Sequence, residues 1–188
     1  EKIRDLVEKR HVSSVLIPCG VDTDFFKPSE LSIAAQTELR LVFPNSPKRW
    51  VKNYKLFNEI SEIISKKYKV PVKQVILENC SREQVREAMQ TSDCIFMTSH
   101  SEASPQVIKE ALACNLPVVS VNVGDVYKSV NNLPNCYVYE HHEKDNFVKA
   151  ILDIYSLKRE RIDLRKRVFE MGVDQHSVCK KIWNLYAN

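Results

Sequence analysis

Short apolar runs alternate along the chain with stretches in which apolar residues recur every three or four positions. The runs at 39–43, 72–77, 93–98 and 116–121 read as strands, with a last short one at 136–139 and a short buried one at 14–18 (SVLIP). Helical spacing marks 54–67, with Leu56, Ile60, Ile63 and Ile64 on one face, and 144–157, with Phe147, Ile151, Ile154 and Tyr155 as its stripe. A helix from the N-cap Ser81 to about Gln90 has Glu83 in its first turn. Short helices are expected over 2–10 and 29–36, and a final one over 174–186 with Val178, Ile182 and Leu185 on one face. The segment 158–172 opens with KRERIDLRKR and reads as a solvated helix carrying an Asp163–Arg167 pair.

Near-continuous apolar strands separated by helices predict a parallel sheet covered on both faces. The short connections argue an α/β, doubly wound, Rossmann-like domain. No G-x-G-x-x-G occurs, so a nicotinamide or flavin dinucleotide would lack its usual phosphate turn.

Composition narrows the function classes. The 188 residues suffice for one domain with a core, and 44% hydrophobic with 28% charged residues is ordinary for a soluble protein. No apolar run approaches the length of a membrane span, and the charged start EKIRDLVEKR is no signal peptide. The first residue is Glu1, inside an expected helix, so the chain is read as a fragment of a longer protein. A net charge of +4 mildly favours anionic ligands or an anionic membrane surface. Aromatic–basic interleaving and a recognition helix are absent, which argues against nucleic acid. The six cysteines, at 19, 80, 94, 114, 136 and 179, form no C-x-x-C and no His-containing metal spacing, as suits a reducing cytoplasm. Cys94 and Cys114 read as small buried hydrophobes. His141 and His142, adjacent in extended chain, point to opposite faces and read as surface residues.

The chemistry concentrates in SHSEASPQVIKEALACNLPVVSVNVGDV, residues 99–126. Ser104-Pro105 reads as a helix start, with Ser104 as side-chain cap and Pro105 at the first helical position. The N–H groups left free there favour an anion. Val107, Ile108, Ala111 and Leu112 form the apolar arc, Lys109 points away from it, and Glu110 falls about 60° outside its edge beside Cys114. Five residues of rise put Glu110 roughly 8 Å down the axis from Pro105, apt for a ribose while the helix start holds a diphosphate. Gly124 permits close backbone approach after the 116–121 strand, and Asp125 caps the following turn.

The pair Glu102 and Glu110 (E-x7-E), with SP between them and ACNLPVV and VGDV beyond, resembles the donor-sugar signature of the GT-B retaining glycosyltransferases of family 4, the glycosyl transferases group 1. IPCGVDTDFFKP, residues 17–28, is similar to the family's "IPNGVD…F.P" segment joining the two GT-B halves, with Cys19 in place of Asn. The bland alternative for it is a turn and a loop pinned by two Phe rings. The resemblance implies the C-terminal half of a GT-B enzyme: 1–28 as an interdomain segment packed on the domain, and 29–188 as the nucleotide-sugar donor domain. It implies that Glu102 contacts the donor sugar and Glu110 the ribose hydroxyls. Ser104, Pro105, Gln106, Val107 and Gly124 would line the donor site. Arg49 and Lys52, on the basic loop after the first strand, would grip the phosphates, with Lys48 a rival to Arg49. The base would lie by the loop after the second strand, read largely by main chain.

The resemblance further implies no cofactor and no metal, since the cationic groups substitute for one. The expected partners are a UDP- or GDP-sugar and an N-terminal acceptor domain of the same protein. Placement is expected in the cytoplasm, peripheral to the inner face of the membrane. This chain alone should bind donor weakly and transfer little. The alternatives are a GT-B nucleotide-sugar epimerase, a phosphorylase (for which no pyridoxal lysine is identifiable), and a non-catalytic nucleotide- or protein-binding domain. Ala103 favours the last, because many relatives carry Gly there; a positive φ or close approach at that position would strain Ala by about 1 kcal/mol. His100 reads as a loop residue within reach of substrate.

Overall fold

A computed structural model describes residues 7, 9, 14–29, 37–157 and 162–187. Five strands, β1 (Leu39–Phe43), β2 (Val72–Ile76), β3 (Cys94–Met97), β4 (Val118–Val121) and β5 (Tyr137–Tyr139), form one sheet in the order β2-β1-β3-β4-β5. Every pairing is parallel. The helices are α1 (Tyr54–Tyr68), α2 (Arg82–Thr91), α3 (Gln106–Ala113), α4 (Val126–Val130), α5 (Lys144–Ser156), α6 (Lys166–Glu170) and α7 (Gln175–Tyr186). This is the doubly wound α/β architecture read from the alternation of apolar runs.

The strand period of two divides the core. Leu39, Leu41, Phe43, Cys94, Phe96, Val119 and Val121 pack on one face with Phe57, Ile60 and Ile64 of α1 and Phe147 and Ile151 of α5. Val42, Ile95, Met97 and Val118 face the other side, against Met89 of α2, Ile108 and Leu112 of α3, and Val168 of α6. Both faces of β3 and β4 are fully buried, which is why those strands lack polar alternation. Ser81 caps α2 through a full capping box with Gln84.

The segment before β1 behaves differently from its reading. Residues 14–18 form no strand, and Val15 and Leu16 are exposed by 66% and 57%. Burial begins at Val21, which bridges Asp174, and at Phe26. The Phe25 ring sits edge-on to Phe26 and carries the guanidinium groups of Arg82 and Arg86 at 4.5 and 4.4 Å. Arg165 fixes this segment: its Nη1 donates to the carbonyls of Phe26 (2.7 Å) and Ala113 (2.9 Å), and its Nη2 to that of Thr23 (2.6 Å).

The basic stretch is therefore not a wholly solvated helix. Among its described residues only Lys166–Glu170 is helical. Asp163 accepts from the Lys166 N–H, while Arg167 reaches the Asn131 carbonyl and Glu170. In α7 only Val178 is buried; Ile182 and Leu185, expected on the same face, are exposed. The helices expected over 2–10 and 29–36, and residues 158–161, fall largely or wholly outside the described residues. Among the described residues no helix is long and apolar enough to cross a membrane.

Candidate functional site

The order of the parallel strands reverses between β1 and β3, the place at the carboxyl end of an open α/β sheet where ligands bind. The loop after β1 ends in a 3₁₀ turn, Trp50–Lys52, and passes into α1 through Asn53 in a left-handed conformation (φ 53°). Side-chain and main-chain bonds weld it to the loop after β3. Thr98 Oγ1 lies 3.0 Å from the carbonyls of Lys52 and Asn53, and the His100 N–H donates to the Val51 carbonyl at 2.8 Å. The weld sets Lys52 Nζ 2.6 Å from Glu102 Oε1, with side chains only 11% and 14% exposed. Ser99 Oγ donates to the same oxygen at 2.7 Å. Two residues fifty positions apart, singled out from sequence, thus form one ion pair at the strand-order reversal.

α3 starts differently from its reading. Pro105 occupies the N-cap with φ −69° and ψ 109°, and no side chain caps the first turn. Ser104 is drawn off: its Oγ donates to Asp125 Oδ2 at 2.6 Å and accepts from Lys109 Nζ at 3.0 Å. Asp125 is engaged there and makes no side-chain cap on α4. The start of α3 keeps its main-chain donors free of any side-chain cap, which preserves the electropositive end of the helix.

Lys109 does not point to solvent. It is 1% exposed, because residues 19–20 cover that flank of α3, and its Nζ also lies 3.4 Å from the Cys19 carbonyl. Gln106 Nε2 donates to the Gly20 carbonyl at 2.8 Å, and its buried Oε1 has no partner. Val107 packs at the edge of the core. A helical wheel cannot show a segment packed on from 86 and 90 residues upstream, so it turns Lys109 outward and gives the Gln106 side chain, expected to line the donor site, no such partner.

Glu110 sits half-buried on the rim of α3, as its angular position predicts. Desolvation pushes its carboxyl above the ordinary value of 4.5, and the nearby Arg82 guanidinium pulls the other way. Arg82 itself pairs with Asp22 at 3.2 Å. One turn along, the Cys114 thiol is pushed up to about 12 by burial and then by the Glu110 charge.

Gly124 has φ +61°, and a Cβ there would meet the Ala103 carbonyl oxygen at 2.5 Å. The close approach expected after β4 is therefore made against the loop that carries Glu102. Ala103 is not among the positive-φ residues and lies exposed, so it adds no strain of its own. Arg49 stays on the exposed loop, Nη1 3.4 Å from Asn45 Oδ1, and Lys48 beside it is equally exposed. The structure thus joins Lys52 to Glu102 and leaves Arg49 outside that pair. His142 is more than a surface residue: it is half-buried, its Nε2 3.1 Å from the Thr98 carbonyl. Ser99 and Lys109 had no motif to announce them. Two surface hollows, one bordered by Asp22, Asp174 and His176 and the other by Tyr127, Tyr137 and Tyr139, do not include Lys52, Glu102 or Glu110. Lys52 and Glu102 lie on loops at the carboxyl end of the sheet, the shelf of the strand-order reversal.

Comparison with known proteins gives the chain a family. The family model for glycosyl transferases group 1 matches residues 55–171, more than half of the chain. The chain belongs to this family. It is 30% identical over 74 residues to the D-inositol 3-phosphate glycosyltransferase of Paenarthrobacter aurescens strain TC1, a match covering 39% of this chain and 18% of that one. Its fold superposes on sucrose-phosphate synthase of Thermosynechococcus elongatus with a TM-score of 0.74 at 16% identity, over 100% of this chain and 56% of that one. For HepE of Anabaena, solved in complex with UDP and glucose, the TM-score is 0.69 at 15% identity, over 92% and 56%. This glycosyltransferase domain therefore has the GT-B-type fold and spans a little over half the length of these solved relatives and under a fifth of the curated one.

Proposed function

We propose that this chain is the donor-binding lobe of a metal-independent, retaining glycosyltransferase that takes a nucleoside-diphosphate sugar, with the acceptor held by an N-terminal half of the same protein. The observation that carries this reading is the uncapped start of α3, set between Glu102 and Glu110 at the strand-order reversal. A diphosphate seated there accepts from main-chain donors along the axis of α3. Lys52 stands on the Glu102 side and neutralises charge as the glycosidic C–O bond breaks, with Arg49 able to swing in from its exposed loop. These groups do the electrostatic work for which other enzymes use a divalent cation, and one such preorganised donor is typically worth about 3 kcal/mol at the transition state.

Glu102, held by Lys52 and Ser99, presents its second oxygen to a hydroxyl of the donor sugar. Glu110 accepts from the ribose hydroxyls. Ribose at Glu110, diphosphate at 105–107 and sugar at Glu102 form a continuous path across the shelf. Residues up to 28 serve as the interdomain segment, and residues from 29 onward as the donor domain. The ordinary backbone of Ala103 removes the strain that would have spoken for a lapsed, non-catalytic site.

Amide shift mapping with UDP, GDP and ADP tests the binding claim. Saturable shifts clustered at 49–53 and 102–110 are expected for at least one of them, and no saturable response to any would overturn the reading. In the full-length enzyme Glu110→Ala should abolish transfer while the protein stays folded; unchanged turnover removes Glu110 from its role. Transfer should survive EDTA.

A further inference from the structure

Trp50 is the odd residue of this shelf. It lies on the turn that delivers Lys52, yet 80% of it is exposed. Its ring is not adrift. The His100 ring lies 5.8 Å away at 36°, and the His142 ring 5.1 Å beyond that at 53°. His142 is anchored at the Thr98 carbonyl, and Thr98 at the carbonyls of Lys52 and Asn53. The row of three rings is therefore fixed to the same two loops as the Lys52–Glu102 pair, with Trp50 two residues before Lys52 and His100 two before Glu102.

We propose that Trp50, braced by His100 and His142, is a stacking platform for a pyranose ring at the lip of the donor site. This rests on reading Lys52 and Glu102 as the sugar end of that site. One face of a pyranose is a sheet of C–H groups, apolar and matched to an indole face by dispersion and by the ring's negative quadrupole. Its hydroxyls need polar partners at the edge, and here the His100 ring lies beside the indole, with Ser101 and Glu102 next along the same loop. A protein-docking surface has another composition, a contiguous apolar patch with a polar rim. The other exposed large apolar residues of the described chain lie elsewhere: Val15 and Leu16 before β1, Tyr68 at the end of α1, Tyr127 on α4, Phe169 on α6, and four on α7. A single open indole among polar groups suits a sugar. That sugar is either the one carried by the donor or one belonging to the acceptor.

The chain holds two tryptophans, so Trp183→Phe leaves Trp50 as its only indole reporter. Its emission is titrated with UDP and GDP, with UDP-glucose, UDP-N-acetylglucosamine and GDP-mannose, and with methyl glycosides of the same sugars. The expected result is a saturable change with sugar-bearing ligands beyond that of the nucleotide alone. Confined to nucleotide sugars, it places the donor's ring on Trp50; given by free glycosides, it places the acceptor's. Trp50→Ala should weaken that binding about tenfold, and Trp50→Phe less. A response no larger than that of UDP or GDP alone overturns the platform, as does a Trp50 already shielded from acrylamide in the ligand-free full-length enzyme, which would make it a contact between lobes. Amide shifts at 102–110 with UDP or GDP separate the two readings: if they appear while Trp50 ignores every sugar, the donor site stands and the platform falls.

Discussion

Glu102 and Glu110 stand on either side of the α3 start and end in opposite surroundings. Glu102 has a cation at 2.6 Å and a hydroxyl at 2.7 Å on one oxygen. Glu110 is half-buried against the rim of the helix, and its carboxyl is pushed up chiefly by desolvation. The same residue type, in one motif, is clamped by a cation and a hydroxyl at one end and desolvated at the other. Spacing along the chain sets where each carboxylate lies; cations from other loops, Lys52 beside Glu102 and Arg82 nearer Glu110, help set their surroundings. On the proposed reading the first is held for orientation, and the second is placed to accept from hydroxyls that would offset its desolvation.

That contrast can be broken from three directions. The largest effect is expected from Gly124→Ala, which removes the space under the Glu102 loop. A left-handed Ala together with a clash on the Ala103 carbonyl should destabilise the domain by about 3 kcal/mol in urea or guanidinium unfolding. Next comes Lys52→Ala, which leaves the Glu102 carboxylate poorly solvated and without its cation. With both partners little exposed, the loss should be about 2 kcal/mol, and the double change Lys52→Met with Glu102→Gln should recover most of it. If the single change matches wild type in unfolding midpoint, Glu102 is not clamped and the contrast disappears.

The smallest effect concerns Glu110→Gln and depends on pH. The folded carboxyl holds its proton to higher pH than an unfolded one near 4.5, so the folded state binds more protons there and stability falls as pH rises through the raised value. Gln avoids that penalty. The variant should therefore be the more stable at neutral pH, with its advantage vanishing as pH drops below 4.5. Unfolding midpoints across that range check it; a gap independent of pH would mean the carboxylate is already well served.

The strands were legible because burial on both faces leaves nothing to alternate: Cys94–Met97 and Val118–Val121 are apolar or small throughout. The glutamates were legible because a helix start and a helical angle are local properties. What escaped was long-range. Lys109 sits under residues 19–20, and Ser104 is claimed by Lys109 and Asp125 before it can cap. Arg165, embedded in a run of charges, looked solvated and instead gathers three carbonyls. Val15 and Leu16 show the opposite error, an apolar pattern with no sheet to join.

Those three carbonyls bear on how the protein could be dissected. Arg165 ties Thr23 and Phe26 to the end of α3, and Val21 and Phe26 complete the apolar layer beside α6. A gene fragment begun at the first strand would leave a guanidinium facing empty space and strip the wall from that layer. The smallest autonomous version of this domain therefore has to start upstream of Val21.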